Sequence, residues 1–251
     1  MRILVTNDDG IHARGLGIAE TIARSFSDDV WVVAPSEEQS GAGHSLTLTH
    51  PLRLRAHGER RVSVSGTPTD SVMMALLEVL DGPPDLILSG VNRGANLGED
   101  VTYSGTVSAA MEGALAGIRS IAMSQVHAAE SGDDVSFAAA EAWGPRAIAP
   151  LLDAPFDPGM LVNINFPALA PADVKGIRVA AQGMRDYGRA RMVRHVDPRG
   201  FPYYWLSFHG VVRSSGHSTD LEAIADGFVA VTPLHLDLTL RSALPTLAAR
   251  Y

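Results

Sequence analysis

The chain has 251 residues, a hydrophobic content of 46% and a formal net charge of −8 at pH 7. This length and apolar content are sufficient for one large α/β domain or for a domain with an accessory lobe. The acidic balance argues against a duplex nucleic-acid binder, whose surface carries a basic patch. Cysteine is absent, which excludes disulfides, thiolate zinc sites and thiol nucleophiles.

Two further features limit the class of protein. The first residues enter an apolar strand directly, and no run approaches the roughly 18 apolar residues of a membrane span, so a cytoplasmic protein without membrane association is expected. Lys175 is the only lysine. A Walker-type phosphate loop, which requires Gly-Lys-Ser/Thr, is therefore excluded.

In the first half of the chain, strand patterns alternate with helix patterns, which predicts parallel strands joined by right-handed crossovers. The predicted elements up to residue 80 are strands at 3–6 and 30–34, a helix at 15–26, β-structure at 45–55 and 61–65, and a helix from 67 to 80. The second helix has the clearest start, because Thr67 can cap it and Pro68 suits its first turn.

Beyond residue 84 the alternation continues and then fades. The predicted elements are strands at 85–89, 120–125 and 161–165, helices at 106–116 and 136–152, a Gly- and Asn-rich loop at 90–105, and irregular β-structure at 176–181, 202–208 and 228–232. The sequence thus predicts an α/β fold with a Rossmann-like, mostly parallel sheet flanked by helices in residues 1–167. Residues 168–251 are expected to form an accessory β-rich extension with a C-terminal arm.

Polar loops follow three of the predicted strands. Residues 7–10 (Asn-Asp-Asp-Gly) follow the first strand, residues 36–44 follow the second, and residues 90–98 follow the strand that ends at Ser89. Because ligands of open parallel sheets bind outside the carboxyl ends of the strands, these loops are expected to share one rim.

The adjacent carboxylates of Asp8 and Asp9 are electrostatically unfavourable unless a cation lies between them. Together with hydroxyl and amide oxygens, they form the hard donor set that suits magnesium, manganese or calcium rather than zinc or copper. An Asp-Asp-Gly sequence alone is more often an ordinary turn, so the metal hypothesis depends on the neighbouring loops. Ser104 and Thr106 open an apolar helix, where free N–H groups and hydroxyls bind anions or simply cap the helix.

The segments that carry this chemistry resemble the SurE family of survival-protein nucleotidases, and the similarity runs nearly from end to end. The resemblance is carried by residues 7–10, 40–41, 89–98 and 103–107, and further similar segments fall at 66–70, 163–165, 197–200, 219–220 and 231–234. Each string alone is weak, whereas their order and spacing together are specific.

The resemblance implies a divalent-metal-dependent phosphatase of the 5′-nucleotidase type that hydrolyses nucleoside monophosphates. It also implies one Mg²⁺ or Mn²⁺ per subunit, with Ca²⁺ as an alternative occupant, and a homodimer or homotetramer in which the extension takes part in the interface. By motif position, the implied metal ligands are Asp8, Asp9, Ser40 and Asn92, with Asp8 and Asp9 as the catalytic pair. The residues implied beside the phosphate are Asn96, Ser104, Gly105 and Thr106.

Other functions fit the residues less well. A haloacid-dehalogenase phosphatase would have Asp-x-Asp after the first strand, whereas Asp8 and Asp9 are adjacent. Both that enzyme and a signalling receiver domain need a lysine at a place where this chain has none, and the receiver also needs an Asp where Ser89 stands. A dinucleotide-binding domain would have Gly-x-Gly-x-x-Gly after the first strand. A non-enzymatic, metal-dependent nucleotide- or phosphate-binding module is the remaining alternative. His12 and His44 also lie near the predicted rim, where either could contact substrate or protonate the leaving oxygen. The preferred interpretation is that both are solvated loop residues.

Overall fold

The computed structural model describes residues 1–127, 136–185, 190–208 and 219–251. Its strands, in chain order, are β1 (Ile3–Thr6), β2 (Val30–Pro35), β3 (Leu54–Gly58), β4 (Arg61–Val64), β5 (Leu86–Arg93), β6 (Arg119–Gln125), β7 (Met160–Phe166), β8 (Ile177–Val179), β9 (Ala190–Val196), β10 (Pro202–Phe208) and β11 (Val229–His235). Its α-helices are α1 (Arg14–Arg24), α2 (Pro68–Met74), α3 (Gly105–Leu115), α4 (Ala138–Leu152), α5 (Asp220–Ala225) and α6 (Leu244–Ala248).

Nine strands form one sheet in the order β3-β4-β2-β1-β5-β6-β7-β11-β8. The pairings are parallel except for β3 with β4 and β11 with β7, which are antiparallel. The predicted α/β fold with a mostly parallel sheet is therefore confirmed. The chain runs outward from β1 in both directions, so the point where the strand order reverses lies between β1 and β5.

Both faces of the central strands of the sheet are buried, as expected when crossover helices cover a parallel sheet. In β1, Ile3 and Val5 pack into the core beneath α1 and α4, whereas Leu4 packs on the opposite face against Val72 of α2. The strand is consequently a short, continuous apolar run. Thr67 caps α2 by accepting a hydrogen bond from the Asp70 N–H, and the helix continues as a π-helical turn over Ala75–Val79, close to its predicted end.

Two predicted boundaries were wrong. Residues 45–53 do not form a strand, because this segment is held by side chains at the start of α2: the Thr67 hydroxyl donates to Ser45 O at 2.8 Å, and Thr47 N–H donates to Asp70 Oδ1 at 3.1 Å. The strand predicted to end at residue 89 continues to Arg93, with an irregular register between Ser89 and Asn92. The predicted loop at 90–105 is therefore partly strand, and a 3₁₀ turn occupies Gly98–Thr102.

The part of the chain after residue 167 contributes to two different sheets. Strands β8 and β11 complete the main sheet, while β9 and β10 pair with each other as a separate antiparallel hairpin. The division expected at residue 167 stays a prediction. Within the described residues, no helix is both long enough and apolar enough to cross a membrane.

Candidate active site

The turn after β1 presents Asp8 and Asp9 at the carboxyl end of the central strand. Asn7 is fully buried and closes the turn on itself, because its side chain accepts a hydrogen bond from Gly10 N–H at 3.2 Å and donates one to Gly10 O at 3.1 Å. Gly10 has a φ of +99°, a backbone conformation that other residues rarely adopt. The polar sequence Asn-Asp-Asp-Gly therefore folds as a tight turn that fixes both carboxylates.

The carboxylate of Asp8 lies against the first turn of α3. The Thr106 hydroxyl donates a hydrogen bond to Asp8 Oδ1. A Cβ atom on Gly105 would lie only 2.7 Å from Asp8 Cβ and 3.0 Å from Asp8 Oδ2, so glycine is required for this close approach. The N-terminal end of α3 thus faces a carboxylate, an arrangement that the helix dipole favours.

Asp9 is held by the end of β5. Its Oδ2 atom accepts a hydrogen bond from Arg93 N–H at 3.2 Å. Burial raises the pKa of Asp9, and the Glu38 carboxylate shifts the pKa in the same direction, while the backbone N–H and the guanidinium of Arg93 oppose the shift. The second carboxylate therefore lies between the loop after β2, which carries Glu38, and the end of β5.

Ser40 belongs to the loop after β2, and Asn92 lies near the end of β5. Gln39 N–H donates to Asp8 O at 2.8 Å, which brings the loop after β2 to the aspartate turn, and the Ser40 hydroxyl donates to Glu38 Oε1 at 2.7 Å. The side-chain nitrogen of Asn92 donates to Gly94 O at 3.0 Å. With that nitrogen turned toward its own loop, Asn92 Oδ1 is the side-chain atom left to act as a ligand.

The electrostatics of the site favour a bound cation. Burial is the main cause that raises the pKa of Asp8 to about 6, and the Asp9 charge adds to the shift while the Thr106 hydroxyl opposes it. Two neighbouring carboxylates with raised pKa values are both stabilised in their charged form by a nearby positive charge. Among the described residues, no three His, Asp or Glu side chains are grouped as a metal centre, so a metal here would also depend on neutral oxygens.

Of the predicted phosphate contacts, Ser104, Gly105 and Thr106 lie at the start of α3, and three of the four residues have a side-chain hydrogen bond. Ser104 is the N-cap residue, and its hydroxyl accepts a hydrogen bond from Val107 N–H at 3.1 Å. Asn96 is 7% exposed, and its amide nitrogen donates to Ser124 Oγ at 2.8 Å. Since that nitrogen carries a second hydrogen, the bond does not exclude a phosphate contact. The roles predicted for Asn96, Ser104, Gly105 and Thr106 at the phosphate stay predictions.

Two sets of buried polar residues support the site without having been assigned a role from the sequence. On β7, the side chains of Asn163 and Asn165 donate to Asn96 O at 2.8 and 3.0 Å, and Asn165 Oδ1 accepts from Asn96 N–H at 2.9 Å. At the start of α5, the fully buried Asp220 binds Gly98. A sequence signal was available for the first set, because asparagine within an apolar strand is recognisable, whereas the Thr-x-x-Glu capping box indicates only the start of α5 and not the contact of Asp220 with Gly98.

The two histidines near the rim contact other side chains. His44 Nε2 lies 3.1 Å from Glu112 Oε2 on α3, and the His12 ring meets the His57 ring edge-on at a centroid distance of 5.1 Å. A cleft of about 270 Å³ opens beside Asp9. Its lining residues include Arg14, Glu38, Arg93 and Phe137.

The chain is similar to known proteins over its whole length. The family model described as survival protein SurE matches residues 3–189. Two similar relatives are both named 5′-nucleotidase SurE: the protein of Rhizorhabdus wittichii is 64% identical and that of Erythrobacter litoralis is 60% identical, each with 100% of both chains covered. The crystal structure of the SurE protein from Aquifex aeolicus superimposes with a TM-score of 0.85 at 37% identity, covering 100% of this chain and 99% of that one.

Proposed function

Because the chain belongs to the SurE family, we propose that it is a divalent-metal-dependent 5′-nucleotidase that hydrolyses nucleoside monophosphates to nucleoside and phosphate. The observation that carries the proposal is the contact between Asp8 and the first turn of α3. It places a carboxylate pair beside a helix N-terminus, where a phosphate group and a cation can be bound side by side.

The proposed metal ligands are Asp8, Asp9, Ser40 and Asn92, with one ion per subunit. Their two carboxylates, hydroxyl and amide oxygen form a hard donor set, and the raised pKa of each aspartate fits a site in which a cation offsets their repulsion. This donor set suits Mg²⁺ or Mn²⁺, with Ca²⁺ as an alternative occupant. Such an ion supplies positive charge that polarises a phosphate ester and acidifies water.

The chain's own groups would orient the reactants. Thr106 holds Asp8 and the Arg93 N–H holds Asp9, so neither carboxylate has to reorganise when substrate arrives. In-line attack by water spreads negative charge over the equatorial oxygens of the phosphoryl group. The N-terminal end of α3 at Ser104, Gly105 and Thr106 would stabilise this charge, because preorganised donors are worth most where water is excluded.

The proposal includes a homodimer or homotetramer. Large apolar side chains of the β9–β10 hairpin are exposed, among them Phe201 at 67% and Trp205 at 65%, and in the C-terminal arm Leu238 is 92% exposed. Exposed apolar clusters of this kind commonly mark protein–protein contacts. The cytoplasmic location expected from the sequence stays a prediction.

The direct test is an assay of metal-stripped protein against a panel of nucleoside 5′- and 3′-monophosphates, with Mg²⁺, Mn²⁺, Ca²⁺ or no metal added back. We expect phosphate release that depends on the added ion. Metal-dependent binding of nucleotides without turnover would contradict the enzymatic proposal and favour a binding module. Turnover that persists in excess chelator would contradict the metal dependence.

A further inference from the structure

The carboxylate of Asp220 joins three separate segments of backbone. It is 0% exposed and stands at the first position of α5. Its Oδ2 atom accepts a hydrogen bond from Gly98 N–H, and its Oδ1 atom accepts from Gly183 N–H and Leu221 N–H, all at 2.8 Å. A buried carboxylate with three amide donors fixes its partners firmly, because its removal would leave these N–H groups without the charged acceptor that they now share.

Neighbouring groups strengthen the link between Gly98 and the segment before residue 186. The Gln182 side chain donates to Gly98 O at 2.8 Å, and the Arg185 guanidinium donates to Leu97 O at 3.0 Å. A Cβ atom on Gly183 would lie 2.9 Å from Asp220 Oδ1, so a side chain there would separate the two segments. The contact between Gly98 and residues 182–185 thus depends on Asp220 and on groups of both segments.

Gly98 begins the stretch that leads into the start of α3. The 3₁₀ turn Gly98–Thr102 ends where Asp100 O accepts the N–H groups of both Tyr103 and Ser104, at 2.9 and 3.0 Å. Ser104 then caps α3. Asn96, two residues before Gly98, is anchored by the asparagines of β7, so a shift at Gly98 is expected to be taken up on the side that leads to the helix cap.

We propose that Asp220 is a positioning residue for the phosphate-binding end of α3, through its hold on Gly98. This inference rests on the proposed nucleotidase function, yet the contact itself can be tested without activity. The proposed metal ligands lie on other segments, and of these Asp8 contacts the start of α3. Loss of the Asp220 contact should therefore weaken turnover and phosphate binding more than it weakens metal binding.

The test compares Asp220→Asn with Asp226→Asn in the full chain. Asp226 is the matched control, because it ends the same helix, its side chain is 57% exposed and its carboxylate pairs with Arg178 at 2.7 Å. For Asp220→Asn we expect kcat/KM to fall by at least about tenfold, since displacement of a positioning group by ~1 Å can lower the rate on the order of 10²-fold. The inhibition constant of inorganic phosphate should rise, and Mn²⁺ affinity measured by calorimetry should stay within about threefold of the parent.

Hydrogen exchange followed by mass spectrometry supplies a readout that does not depend on activity. Amides of residues 97–104 should exchange faster in Asp220→Asn than in Asp226→Asn, at a temperature well below unfolding. Unchanged exchange in this stretch, or a loss of Mn²⁺ affinity as large as the loss of turnover, would overturn the proposal. A parent protein that releases no phosphate would contradict the proposed function instead, and the exchange comparison would still decide the contact.

A surface variant covers the case in which Asp220→Asn does not fold. Gln182→Ala removes only the side-chain bond to Gly98 O and leaves the buried carboxylate intact. We expect the same pattern with smaller size, a fall in kcat/KM of about threefold with faster exchange in residues 97–104. Parental values for both would overturn the positioning role.

Discussion

The hydroxyl of Thr106 donates a hydrogen bond to Asp8, although 98 positions separate the two residues in the chain. Both side chains are buried, so the first turn of α3 and the turn after β1 hold each other in place. The contact explains how a carboxylate that burial disfavours keeps one orientation. The position of Asp8 at the end of β1 thus depends on α3, the helix that follows β5.

Replacement of Thr106 by valine tests this contact, because valine keeps the shape and removes the hydroxyl. We expect kcat/KM to fall by about tenfold or more through loss of a preorganised orientation. Ser108→Ala is the control, since it removes a buried hydroxyl two residues further along α3 that donates to Ser104 O. Steady-state kinetics with a nucleoside monophosphate at saturating Mn²⁺ measures both. Equal kinetics for the two variants would show that the Thr106 hydroxyl does not position Asp8.

Gly105→Ala tests whether Asp8 needs the close approach of a glycine at the start of α3. The added methyl group would meet Asp8 Cβ at 2.7 Å, so we expect activity to fall on the order of 10²-fold as the carboxylate is displaced. Gly17→Ala in α1 is the matched control, because its Cβ would meet nothing within 4 Å. There we expect unchanged activity and a gain of ~0.5–1 kcal/mol in unfolding free energy, as glycine is unfavourable within helices. Assays and chemical unfolding check both, and an active Gly105→Ala enzyme would contradict the role of this close approach.

Asp9→Asn tests the carboxylate pair itself. An amide keeps the shape and removes one negative charge, so a main electrostatic contribution to the site would be lost. We expect activity at saturating Mn²⁺ to fall on the order of 10²-fold or more. Activity within about threefold of the parent would contradict the assignment of Asp9, provided that the variant unfolds at the parental midpoint.

The meeting of the segments around Asp8 and Asp9 could be predicted from the sequence, because they lie directly at strand ends. In a parallel sheet, Asp8 and Asp9 after β1 and Asn92 near the end of β5 must meet at one edge, since β1 and β5 are neighbours. The helix after Thr67 was predictable for a similarly local reason, because its cap and its first-turn proline are adjacent in the chain.

The structural features that the sequence did not predict depend on contacts between distant segments. The run at 45–53 alternates like a strand, yet the side chains at the start of α2 satisfy part of its backbone instead of a neighbouring strand. The hold of Asp220 on Gly98 joins residues 122 positions apart, and no local pattern reveals it. Similarly, β11 lies antiparallel within an otherwise parallel region beside β7, an order that the alternation of elements does not encode.

His57 provides a prediction for pH-dependent stability. Burial lowers the pKa of His57 below its ordinary value of 6.5, and the nearby His12, Arg55 and Arg61 shift it in the same direction. His57 therefore binds a proton more readily in the unfolded chain than in the folded one. Its contribution to the free energy of unfolding is fully present above about pH 6.5 and is lost as the pH falls below that value.

The measurement is the unfolding free energy of His57→Gln from pH 8 to pH 5. Glutamine can still contact Ser63, whose hydroxyl lies 2.9 Å from His57 Nε2, but it cannot be protonated in this range. We expect a smaller loss of stability on acidification than in the parent. His50→Gln, at an exposed histidine, serves as the control. A parental pH dependence in His57→Gln would refute the assignment.

The β9–β10 hairpin should form part of the interface between subunits. A two-stranded sheet alone is marginally stable in water, and this one pairs with no other strand among the described residues. Trp205 is 65% exposed on β10, and buried tryptophans often dominate interface energies, with losses of about 2 kcal/mol or more on truncation. Trp205→Ser should therefore raise the dissociation constant of the assembly roughly 30-fold.

Leu77→Ser controls for the loss of an exposed apolar group, because Leu77 is 70% exposed and lies in the π-helical turn after α2. Light scattering coupled to size-exclusion chromatography over a dilution series measures the mass of each variant, and identical dissociation curves would exclude the hairpin from the interface.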